Sequence, residues 1–222
     1  MAASFSYGLV VAIRSELSVL DPANFRGDLD TVVYSAPNES GQRRVLAILR
    51  GEESRVLVSS EAIAPIVKQA IVAVEDKRFY EHNGVDLRGI FRALWQDIRS
   101  KSVVEGGSTI TQQYVKNAYS RNEQTVARKV REAALAWQLT QQWSKDRILT
   151  AYLNTIYFGN GAYGILQAAR TYFNGKSAAE LTLPEAALLA GIPASPSLYD
   201  PVQHPAAARE RGPRCAADRS GR

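Results

Sequence analysis

The segment "IAPIVKQAIVAVED", Ile63 to Asp76, constrains the fold more than any other part of the chain. At helical spacing, Ile63, Ile66, Val67, Ala70, Ile71, Val72 and Val74 leave almost no polar side, and a helix that is apolar nearly all round has to be enclosed by other elements. The downstream text supplies candidates for that enclosure. "DLRGIFRALWQDIRS" sets Leu87, Ile90, Phe91, Leu94, Trp95 and Ile98 at i, i+3, i+4 spacing. "TVARKVREAALAWQLTQQW", "SKDRILTAYLNTIYF" (ending at Gly159), and the shorter "YGILQAARTYF" and "LPEAALLAGI" follow, the last behind a capping-box pattern, Thr182-x-x-Glu185. Upstream, "TVVYSA" and "RVLAILR" lean toward strand and flank the turn residues Pro37 to Gly41, which predicts a two-stranded hairpin. There is no internal repeat. The expected architecture is mainly α. Residues 1–60 form an irregular, β-hairpin lead-in, 61–203 the principal domain, and 204–222, aperiodic and rich in Arg, Gly and Pro, an unstructured, truncated tail.

Composition narrows the function classes only a little. A chain of 222 residues with 45% hydrophobic and 22% charged content suits a folded domain rather than a disordered one. The net charge of +5 favours a polyanionic partner: nucleic acid, an acidic membrane surface or a phosphorylated substrate. Cys215 is the sole cysteine, which excludes a disulfide framework and a Cys-based zinc site. The apolar run "YGLVVAI" falls far short of the ~20 residues of a spanning helix and lacks the flanks of a signal peptide.

Three stretches could carry chemistry. In "VEDKRFYEHNGVD", Glu75 and Asp76 end the apolar helix. They are either a polar helix terminus or carboxylates held in a cleft, and acids at a helix C-terminus oppose its dipole. His82, without a second histidine near it, reads as a hydrogen-bonding residue rather than a metal ligand or base. In "EGGSTITQQYVKN", Thr109-x-x-Gln112 fits a capping box, while Gln113 and Lys116 share that face and are left over. Ile110 and Tyr114 form the opposite, inward face. The polar face can donate hydrogen bonds to sugar hydroxyls or phosphate oxygens. In "ARKVRE", Arg128 and Glu132 are four apart on one face, which an ordinary exposed ion pair, in the weaker orientation with the acid C-terminal, explains better than a site does.

In order along the chain, "EDKRFYEHNGVD", "GGSTITQQYVKN", "RKVRE", "ILTAYLNTIYFGNGAYGI" and "LTLPEAALLAGIPASPSLYDP" resemble the five motifs of the peptidoglycan glycosyltransferase family, family 51. That family comprises the transglycosylase module of class A penicillin-binding proteins and the monofunctional transglycosylases. The likeness runs from about Ala62 to Pro201. It implies a lysozyme-like helical domain with a smaller, membrane-proximal jaw subdomain. It also implies an activity: polymerising lipid II into β-1,4-linked glycan strands, with inversion at the donor anomeric carbon and release of polyprenyl diphosphate, at the extracytoplasmic face of the bacterial cytoplasmic membrane. Such a reaction needs a base for the acceptor hydroxyl and cations for the leaving diphosphate, with no general acid.

By position in the motifs, the resemblance makes Glu75 the general base and Glu132 the second important acid, one that orders the donor side or binds a divalent cation (Mg2+ or Mn2+). It places Asp76, Arg78, Phe79, His82, Ser108, Thr109, Gln112, Gln113, Lys116, Asn117, Arg128, Lys129 and Asn154 about the substrate. Arg78 would hold diphosphate or orient Glu75, and Lys116 would be the point charge of the second motif. Asn154 and Gly159 belong to the fourth motif, whose role is mainly structural. No organic cofactor is implied. Expected partners are lipid II, the growing lipid-linked strand, the membrane surface and moenomycin-type inhibitors, and no nucleic acid. The helix with Leu87, Phe91, Leu94 and Trp95 would lie in the jaw, where Arg88, Arg92 and Arg99 suit an anionic lipid surface. An ordinary core-facing helix with a solvated basic side explains it equally well.

Members of the family normally carry an N-terminal membrane anchor, and class A proteins continue into a penicillin-binding domain. This chain shows neither an anchor nor a Ser-x-x-Lys motif, so it is expected to be a piece of a class A protein. Two rival readings stand beside the transferase. One is a lysozyme-like lytic enzyme with Glu75 as acid. The other is an inactive module that binds lipid II or glycan.

Overall fold

The structure, a computed structural model, describes residues 31–37, 40–41, 43–49, 56–89, 107–118 and 126–217. Two short strands, β1 (Thr31–Tyr34) and β2 (Val45–Leu49), pair antiparallel from Thr31 opposite Leu49 to Tyr34 opposite Val45. This is the hairpin expected upstream. The other named elements are helical, so the mainly α expectation holds: α1 (Pro65–Glu75), α2 (Ile110–Ala118), α3 (Val126–Gln142), α4 (Lys145–Thr155), α5 (Ile165–Tyr172), α6 (Leu183–Gly191) and α7 (Pro205–Ala217). A 3-10 turn, Ser60–Ala62, leads into α1.

Helix α1 starts with Pro65, whose missing N–H costs nothing in a first turn. Val67 and Ile71 are wholly buried, Ala70 and Val72 nearly so, and Ile66 and Val74 pack on the same cluster. Its main neighbour is α6, and α7 lies against both. The second packing unit centres on α2, which contacts α3 and α4. Ile110, Tyr114 and Val115 of α2 are fully buried, as are Ala136 and Leu139 of α3 and Ile148, Leu149, Tyr152 and Leu153 of α4. One contiguous core joins the two units.

Two glycines have backbone reasons to be glycine. Gly84 has φ +83°, and a Cβ there would stand 2.3 Å from the Ala136 carbonyl oxygen. Gly164 has φ +81°, and its Cβ would meet the Asn154 carbonyl oxygen at 2.7 Å. These contacts seat the loop after α1 on α3, and the turn before α5 on the end of α4.

The tail is a correction. Residues 205–217, read as unstructured from composition, form α7, which docks on α6 and buries Ala208. Docking on α6, which buries Ala208, outweighs the weak helix propensity of its Gly and Pro. The jaw expectation falls mostly on residues 90–106, outside the described set, along with Phe91, Arg92, Leu94, Trp95 and Arg99. Leu87 and Arg88, at its near edge, are exposed. Among the described residues no helix is long and apolar enough to cross a membrane.

Candidate active site

Glu75 is the last residue of α1 and is half-buried. Burial raises its proton affinity above that of an ordinary glutamate. A hydrogen bond from Gln113 and the positive charge of Arg211 pull the other way, and Asp76 adds to the rise. The Gln113 contact is direct: its Nε2 donates to Glu75 Oε2 at 2.8 Å. Gln113 Oε1 in turn accepts from the Tyr152 hydroxyl at 3.1 Å. The leftover glutamine of the second motif therefore supports Glu75.

Asp76 turns inward instead. It is only 7% exposed. Its carboxylate accepts the backbone N–H of Ile110, the first residue of α2, at 3.1 Å, and lies 3.0 Å from His82 Nε2. A carboxylate against the positive end of a helix is a favourable arrangement, and this one is desolvated. Beside it the capping box of α2 is closed in both directions. Thr109 N–H donates to Gln112 Oε1 at 3.0 Å, and Gln112 N–H donates to Thr109 Oγ1 at 3.1 Å. The Thr109 hydroxyl donates onward to the Gly84 carbonyl at 2.6 Å. Asp76, Thr109 and Gln112 thus fix the start of α2, and both Thr109 and Gln112 are buried.

The remaining first-motif residues divide. Phe79 is entirely buried, with Lys145 Nζ 4.5 Å from its ring centroid, so this ring is a core residue and not a ligand-facing one. His82 sits above it at 6.3 Å between ring centroids and is held by Asp76. Arg78 gives its Nε and Nη2 to Asp86, which also accepts the Gly89 N–H, so its guanidinium is tied to the following loop rather than to Glu75.

The third motif forms an ion cluster. Glu132 is 4% exposed. It pairs with Arg128 one turn back and with Lys129 Nζ at 3.6 Å. Lys129 Nζ also donates to Ser108 Oγ at 2.9 Å, tying α3 to the lead into α2. The pairing expected at four-residue spacing is present, but its acid is buried rather than exposed. Lys116 and Asn117, at the far end of α2, are exposed. Asn154 uses both ends of its amide on the backbone of Val58, at 3.0 and 2.9 Å, and so fastens the segment before α1 to α4. That is a structural use, and it corrects the expectation of Asn154 as a substrate contact, since both ends of its amide are taken by the backbone.

Among the described residues no three His, Cys, Asp or Glu side chains come together, and Glu132 already faces two cations.

Two residues near Glu75 escaped sequence reasoning. Tyr152 reads as one more apolar position of α4. Arg211 lies in the segment taken for a tail, and only the docking of α7 brings its charge to bear on Glu75.

The family model described as Transglycosylase matches residues 42–218. The chain is 48% identical over 159 residues to Penicillin-binding protein 1F of Bacillus subtilis (strain 168), covering 72% of this chain and 22% of that protein. It is 42% identical over 212 residues to Penicillin-binding protein 1A of Neisseria lactamica, covering 93% of this chain and 26% of that protein. It therefore spans about a quarter of the length of these relatives. A crystal structure of Penicillin-Binding Protein 1A from Haemophilus influenzae overlaps 86% of this chain and 18% of its own, at 21% identity and a TM-score of 0.43.

Proposed function

The chain belongs to the transglycosylase family, and on that premise we propose that it is a peptidoglycan glycosyltransferase module that joins lipid II units into β-1,4 glycan strands. The observation that carries this reading is Glu75: a proton-avid carboxylate on a rigid helix end, held by Gln113 of the same helix that exposes Lys116 and Asn117.

Glu75 takes the proton of the acceptor 4-hydroxyl as its oxygen attacks the donor anomeric carbon. The bond from that carbon to the diphosphate breaks, the diphosphate leaves with the electron pair, and the centre inverts. The leaving group is a stable anion that needs positive charge rather than a proton. Lys116 supplies it at the surface. Arg128 and Lys129, arranged by Glu132 and Ser108, extend the cationic wall. Ser108 and Asn117 add polar contacts to sugar or phosphate. Moenomycin-type inhibitors would compete for this donor side. The work site is the extracytoplasmic face of the cytoplasmic membrane, where lipid-linked substrates meet the protein.

Raised proton affinity would equally suit a lytic enzyme with Glu75 as acid. The cations distinguish the two, since a neutral glycan needs no diphosphate clamp. Incubation with labelled lipid II tests the proposal directly. The wild-type chain is expected to form strands, and Glu75→Gln to lose about 10²–10⁴-fold in rate while still binding lipid II. Full activity of Glu75→Gln rejects the base assignment. Release of soluble muropeptides from finished cell wall, without strand formation, supports the lytic alternative.

A further inference from the structure

Tyr152 is fully buried in the middle of α4, yet it keeps a hydroxyl where a phenylalanine would fill the same space. Its O–H points at Gln113 Oε1, 3.1 Å away. That contact decides which way the Gln113 amide faces. With the carbonyl end satisfied by Tyr152, the NH2 end is turned to Glu75 Oε2 at 2.8 Å and to the Ser108 carbonyl at 3.4 Å. We propose that Tyr152 is a positioning residue for the base of the proposed transfer reaction, acting through Gln113 as a fixed amide relay to Glu75.

The physical role follows from donor and acceptor counting. A carboxylate in a buried setting needs a donor, and an amide can present either a donor or an acceptor. The buried Tyr152 hydroxyl stays protonated, because burial and the charges of Glu75 and Asp76 all oppose its ionisation. It is therefore available as a donor throughout the working pH range. Without it the amide is free to turn its oxygen to Glu75, which favours the protonated acid and disfavours the base. The other charges acting on Glu75 come from Asp76, which raises its proton affinity, and Arg211 of α7, which lowers it. Tyr152→Phe alters neither.

The inference rests on Glu75 being the base, so the test separates the two. In protein carrying carboxyl-labelled glutamate, the Glu75 resonance is assigned by its loss in Glu75→Gln and titrated by carbon NMR. Tyr152→Phe is expected to move its midpoint upward by about half a unit to one unit. With lipid II, kcat should fall by about 3- to 10-fold with KM unchanged, and the acidic limb of the kcat profile should move the same way. Gln113→Leu should shift the midpoint in the same sense, and adding Tyr152→Phe to it should change nothing further. An unmoved midpoint in Tyr152→Phe, or effects that add in the double variant, overturns the relay. A moved midpoint together with a fully active Glu75→Gln keeps the relay and rejects the base.

Discussion

Helix α6 starts at the surface and α2 starts in the interior, although both open on the same local pattern, Thr-x-x-Glu or Thr-x-x-Gln. At α6, Thr182, Leu183 and Pro184 are exposed. Glu185 Oε2 accepts the Thr182 N–H at 2.8 Å, and Glu185 Oε1 accepts from Lys176 at 2.7 Å. Every partner lies within nine residues in the sequence. At α2 the reciprocal bonds are the same, but Asp76 reaches Ile110 from 34 residues upstream and Thr109 reaches Gly84 25 residues upstream. A capping box by itself only starts a helix. At α2, distant partners turn that start into the wall beside Glu75.

The contrast can be broken by substitution. Asp76→Ala should have the largest effect. It leaves the Ile110 N–H and His82 without their buried partner, which costs ~3 kcal/mol in denaturant unfolding and removes polymerisation. If Asp76→Ala costs no more than a surface change, α2 is held some other way. Thr109→Ala comes next, at ~2 kcal/mol, against ~1 kcal/mol for Thr182→Ala, with strand formation impaired only by the former. Equal costs would mean that the interior box gains nothing from its distant partners. The smallest effect concerns acid. Lys176 and the Thr182 N–H hold the Glu185 carboxyl down at about 2, below the ordinary 4.5. Its contribution is therefore complete above pH 4.5 and is lost as the pH falls toward 2. Because Lys176 is 40% exposed and screened by salt, this amounts to ~0.5–1 kcal/mol. Glu185→Gln should flatten that part of the stability profile, and an unchanged slope would remove the Lys176 pair from the account.

What was legible in the sequence follows the same division. Periodicity located α1, α3, α4, α5 and α6, and the hairpin, because each writes its own buried face or alternation into adjacent residues. Both capping boxes were legible for the same reason. The family resemblance pointed to Glu75 and its neighbours, but not to what each side chain touches. Gln113 spends its amide on Glu75 and Tyr152, and Phe79 disappears into the core. Arg78 is taken by Asp86. These outcomes depend on contacts across eight to thirty-nine positions, for which local spacing holds no signal. The α7 helix was missed because composition argues against it and only its packing on α6 and α1 argues for it.

The bond between Ile110 N–H and Asp76 ties the end of one helix to the beginning of another, immediately beside Glu75. Ile110 is wholly buried, so its amide meets solvent only when the two helix ends separate. Deuterium uptake at that single position thus clocks how often the two helix ends beside Glu75 come apart, with no substrate present. Ligands that seat on the donor side should slow this clock, whether or not they are turned over.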